Sequence, residues 1–194
     1  MGFRLTDAAR HAYRDRSRVR GLVAGLRPRH FVLAVPVLFV VVVTFVVLAE
    51  IPGLSWGWWS AIGGTGNPAF GGAPEGSTGP FEVVIPIVFA GLLLVGLPLL
   101  VEGEEWVFRR GAEHRGRAAN LRRAVLFGLV HALIGVPIAA ALALTVGGVY
   151  FTWAYLRAYR ATGSAEAALN ESTRSHLAYN LDVLAIVVIG VAIS

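Results

Sequence analysis

The sequence predicts an all-α protein: a polytopic transmembrane helix bundle of about five spans, two of them forming one short hairpin. Three observations predict it. The chain of 194 residues is 56% hydrophobic and only 15% charged, where soluble domains average about 25% charged. Its apolar residues fall in blocks long enough to cross roughly 30 Å of hydrocarbon, which takes about eighteen or more. Its arginines gather in segments that alternate with arginine-free ones.

Residues 1–30 carry eight Arg (4, 10, 14, 16, 18, 20, 27 and 29), and Leu5, Ala8, Ala9 and Ala12, then Val19, Leu22, Val23 and Leu26, recur at helical spacing. The segment reads as a basic amphipathic helix for an anionic membrane surface or as a solvated basic tail. Either reading marks a cytoplasmic N-terminus. Phe31–Ala49 is a nineteen-residue span broken only by Pro36 and Thr44. Residues 50–80 hold no Arg or Lys, nine Gly and the cluster Trp56, Trp58 and Trp59. They form an expected external loop with aromatics at the headgroup level. Phe81–Val101 is the second span, with one acid, Glu82, near its start, and the six Arg of residues 102–123 return the chain to the cytoplasm.

Ala124–Leu156 is too long for one comfortable span, and a single crossing would leave Arg157, Arg160 and Arg174 outside. The positive-inside bias predicts two short spans, turning at Gly135 and Pro137, with Gly147-Gly148 allowing close packing. A polar linker follows across Ala161–Ser175, where Gly163-Ser164 marks a turn and a helix start. A last span runs from about His176 to Ile193. The chain thus divides into an N-terminal segment, 1–30, and a helical membrane domain, 31–194. The first apolar block starts too late and is too long for a cleavable signal peptide. The sequence has no cysteine, which excludes disulfides and thiol chemistry, and the excess of +5 lies at span edges, which argues against a nucleic-acid partner.

Ionisable groups beside or inside apolar helices are costly and point to function. Three clusters qualify. Glu104-Glu105-Trp-Val-Phe-Arg109 ends the second span; Glu105 and Arg109, four apart, can pair, while Glu104 is turned about 100° away. Phe127-Gly-Leu-Val-His131 puts an aromatic ring and an imidazole on one helical face. His176-Leu-Ala-Tyr-Asn180 does the same for an imidazole and an amide. Singly, these clusters also fit a solvated helix end, a packed histidine and an interhelical hydrogen bond. Each lies near the cytoplasmic edge of its helix, so Glu104, His131, His176 and Asn180 can converge from three helices.

These motifs, Glu-Glu-x-x-x-Arg at 104–109, Phe-x-x-x-His at 127–131 and His-x-x-x-Asn at 176–180, resemble in this order those of the CPBP family of intramembrane glutamate endopeptidases (CAAX-processing and bacteriocin-processing, or ABI). The resemblance covers roughly residues 81–194. It implies an intramembrane protease in which Glu104 and His131 activate a water, His176 and Asn180 stabilise the oxyanion, and Glu105, Arg109 and Phe127 support them. Such a scheme needs no metal and no other cofactor: a carboxylate next to an imidazole can draw a proton from water, and N–H donors can hold the developing alkoxide. It implies a multi-pass protein of the cell membrane with lipids around it and a peptide or protein substrate, which the family name suggests is lipidated. Family members commonly have more helices, often eight, which leaves the substrate groove and the oligomeric state open. Two alternatives stand beside it. A zinc peptidase could use Glu104, His131 and His176, although no His-Glu-x-x-His is present. A non-catalytic immunity or scaffold protein could keep the fold for binding.

Overall fold

The computed structural model describes residues 16–57 and 80–193, all of whose regular elements are helical. Trp58, Trp59 and the periodic apolar residues before Arg16 lie outside the described residues. The helices are α1 (Arg16–Ala24), α2 (Pro28–Ala49), α3 (Pro80–Phe108), α4 (Arg117–Val130), α5 (Ile138–Thr162) and α6 (Ala165–Ile193), with short 3₁₀ turns at Ala112–His114 and His131–Ile134. Among the described residues, α2 and α5 are long and apolar enough to cross a membrane. Val32, Val35, Phe39, Val42, Val46 and Val47 of α2 face outward.

The break between α4 and α5 falls where the sequence predicts it. Gly135 adopts φ +95, a left-handed conformation that glycine enters at no steric cost, and Pro137 caps α5. The loop after α2 docks there: the first N–H groups of α5, on Ile138 and Ala139, donate to the carbonyls of Trp56 and Leu54 at 3.1 and 2.7 Å. These are donors that a helix start otherwise leaves unpaired. The hairpin differs from expectation in its second arm, which is not short. α5 runs six residues past Leu156, because nothing in Arg157–Thr162 breaks a helix before Gly163, whose φ is +68. The arms meet closely. A Cβ on Gly148 would come within 2.8 Å of the Ala124 carbonyl oxygen.

The expected polar linker 161–175 is corrected as well. Only Gly163 and Ser164 are non-helical; the Ser164 hydroxyl accepts the N–H of Ala167 at 3.2 Å, and α6 starts at once. His176 therefore sits eleven residues inside α6 and does not open it. α3 likewise continues past Val101 through the Glu-Glu motif to Phe108. Its last carbonyls are closed by arginines. Arg123 donates to Val107 O at 2.8 Å, and Arg115 donates to Phe108 O at 2.9 Å and Arg109 O at 3.2 Å.

The basic segment is neither a free tail nor a helix lying apart, as far as it is described. Leu22 of α1 is buried, and Leu26 just after the helix packs against Leu97, Val101 and Leu177, which cluster between α3 and α6. Arg18 pairs with Glu102, and Arg174 donates to Gly21 O at 3.2 Å. The bundle consequently has two unlike ends. The starts of α2, α4 and α6 and the ends of α3 and α5 bring the arginines to one end; the 51–57 loop and the hairpin tip form the other.

Candidate functional site

The site is built where α3, α4, α5 and α6 meet around the ring of Phe127. That ring touches Phe108, His131, Phe151 and His176 edge-on, with centroids 5.5, 5.0, 5.9 and 5.4 Å away. The Arg109 guanidinium carbon lies 4.1 Å from its centre. A delocalised cation on an aromatic face is favourable, the more so when desolvated, and Arg109 is fully buried.

Glu105 forms the floor. It is fully buried, and each of its oxygens is engaged. Oε1 accepts the His176 Nδ1–H at 2.9 Å and lies 3.5 Å from Arg109 Nη1; Oε2 pairs with the Ser172 hydroxyl. Ser172 Oγ is also 2.9 Å from the Phe151 carbonyl, and Arg109 Nη2 donates to Gly148 O at 3.3 Å. A buried carboxylate survives only with such compensation. His176 is stacked on Phe151, with centroids 4.1 Å apart.

Glu104 forms the mouth. Its side chain is 30% exposed; Oε1 lies 3.9 Å from His131 Nε2, and Oε2 lies 3.6 Å from His176 Nε2. Direct hydrogen bonds span about 2.7–3.2 Å. These gaps are too long for that and short enough for one water to bridge from the side. The two adjacent glutamates do diverge, as their 100° offset requires, yet they meet the same imidazole on its opposite nitrogens.

The structure thus brings together Glu104, Glu105, Arg109, Phe127, His131 and His176. Asn180 lies one turn beyond His176 on α6, half-buried. Among the described residues no group of three or more His, Asp or Glu side chains is arranged to hold a metal ion. The sequence reading missed Ser172 and Phe151. Ser172 had a signal, since it precedes His176 by four residues and shares its face. Phe151 had none, because its ring reaches His176 from another helix.

No protein-family model matches the chain, and neither a curated protein nor a solved structure matches it.

Proposed function

We propose that the chain is an intramembrane endopeptidase of the CPBP type, hydrolysing a peptide bond near the cytoplasmic face of the cell membrane. One observation carries the reading: a partly exposed carboxylate stands a water's width from the Nε2 atoms of two imidazoles, each held by its own packing. Glu104 takes a proton from the bridging water as its oxygen adds to the scissile carbonyl carbon. The carbonyl electron pair moves onto oxygen. Glu104 then returns the proton to the nitrogen as the C–N bond breaks. Donation to the oxyanion falls to the Asn180 amide, one turn beyond His176 on α6.

The same reading makes the protein multi-pass, with α2, α3, the α4–α5 pair and α6 crossing and the N-terminus cytoplasmic. In support, α2 and α5 are long and apolar enough to span, and the arginines sit at one end of the bundle, as the positive-inside bias has it. Membrane lipids surround it, and a peptide or protein, lipidated or not, is its substrate.

The test is purified protein in lipid vesicles, given a fluorogenic peptide library with and without a prenyl group on cysteine. The expected result is cleavage that a chelator does not reduce. Activity lost to the chelator and restored by zinc would replace the glutamate mechanism with a metal one. No cleavage of any member, with the variants Glu104→Ala and His131→Ala keeping the protein's effect in cells, would favour a binding role.

A further inference from the structure

Among the described residues, three buried or half-buried histidines approach glutamates across helices, and their Nδ1 partners divide them. His30 Nδ1 faces the backbone N–H of Arg27 at 3.0 Å. An N–H can only donate, so His30 Nδ1 is an acceptor, and the neutral ring carries its hydrogen on Nε2, which points to Glu171 Oε1 at 3.4 Å. His131 is the reverse. Its Nδ1 lies 2.8 Å from the Phe127 carbonyl oxygen, which can only accept, so Nδ1 carries the hydrogen. His176 follows His131. Its Nδ1 lies 2.9 Å from Glu105 Oε1, a carboxylate whose neighbours are the Arg109 cation and the Ser172 hydroxyl. Both rings beside Glu104, when neutral, therefore turn a bare Nε2 toward it. Two nitrogen lone pairs and a carboxylate face one another with no hydrogen among them, so whatever occupies the gap must bring hydrogens of its own.

We propose that Glu105 is a positioning residue: it fixes the His176 ring in the Nδ1–H form, so that Nε2 accepts a hydrogen bond from the attacking water and does not donate to the oxyanion. The chemistry of this assignment rests on the peptidase reading; the tautomer does not. During the step, Glu104 takes one water hydrogen and later delivers it to the departing amine. The other stays on the oxygen, pointing at His176 Nε2, and leaves with the new carboxylic acid. His176 neither gains nor loses a proton. Its part is to aim the nucleophile's free electron pair at the carbonyl carbon, and oxyanion donation is left to Asn180. An imidazole with the wrong nitrogen protonated would instead donate into the lone pair that must attack.

The deciding experiment is nitrogen NMR of the full chain in lipid nanodiscs with ¹⁵N-labelled histidine, the ring signals being assigned by loss in His131→Gln and His176→Gln. In the wild type at pH 8, both rings should show a protonated Nδ1 and a bare Nε2, with His30 showing the opposite pattern. Glu105→Gln, whose amide can offer N–H to Nδ1, should move the His176 hydrogen toward Nε2 and leave His131 as it was. Ser172→Ala should leave both unchanged. A proton on His176 Nε2 in the wild type overturns the proposal, as does a folded Glu105→Gln protein with the wild-type pattern. Should Glu105→Gln fail to fold, the wild-type spectrum still decides. On the best-cleaved library peptide, Glu105→Gln should lower kcat by about 10²–10⁴-fold with KM within about twofold, as a misplaced tautomer does in hydrolases. The predicted tautomers without any peptide cleavage would sink the peptidase reading and leave the ring assignment standing.

Discussion

Among the described residues, the two places where a buried or half-buried histidine meets a glutamate across helices are built oppositely. At the end of the bundle where α2 starts, Glu171 meets His30 Nε2 at 3.4 Å and accepts from Arg29 at 2.9 Å. Donors face an acceptor, and the cluster ties α2 to α6. In the Phe127 pocket, Glu104 meets two imidazoles whose hydrogens are both turned away from it, across gaps of 3.6 and 3.9 Å. In one arrangement donors face the carboxylate; in the other, two acceptors do. Proximity of His and Glu therefore does not mark a reactive site; the nitrogen that faces the carboxylate does.

Glu104→Gln should break the contrast most sharply. It removes the base and little volume, so peptide cleavage should fall by at least about 10³-fold while the protein still inserts and folds, as read by vesicle assay and far-UV circular dichroism. Arg109→Ala comes next. It leaves Glu105 buried without its cation, which should cost about 3–5 kcal/mol in a denaturation series in detergent, with activity lost through unfolding. Asn180→Ala should lower kcat by about 10²–10³-fold if its amide donates to the oxyanion, with stability little changed. Gly148→Ala tests the packing behind the pocket. Its new methyl would press on the Ala124 carbonyl and the Phe127 ring, at 2.8 and 3.1 Å, and should cost about 1–3 kcal/mol. Glu171→Gln, at the His30 cluster, should move stability by about 1 kcal/mol or less, its carboxylate being partly exposed, and leave cleavage rates intact.

Much of the helical plan could be read from residue order because hydrocarbon-length apolar runs and the Gly135–Pro137 break are local features. The start of α6 was harder to place. Ala165–Ser175 is polar yet rich in good helix formers behind a Ser164 cap, and polarity alone does not separate a linker from a helix. The docking of the N-terminal segment was out of reach, since Leu26 and Arg18 find partners seventy or more residues away. At the site, the i, i+4 spacings disclosed the Glu105–Arg109 and Phe127–His131 contacts. They could not disclose that both glutamates reach His176, nor which way its ring is turned. That depends on Glu105 and Phe151, which come from other helices. The role in oxyanion binding that the motif resemblance implies for His176 is the point from which the ring assignment proposed above departs.

Glu104 matters in this account only because a water can sit between it and the two bare Nε2 atoms. An experimental density map of the protein in lipid, sharp enough to show ordered solvent, tests that directly. One water is expected within about 2.6–3.2 Å of a Glu104 oxygen and of at least one of the two Nε2 atoms. A gap closed by an acyl chain or a packed side chain, with no room for solvent, would contradict it.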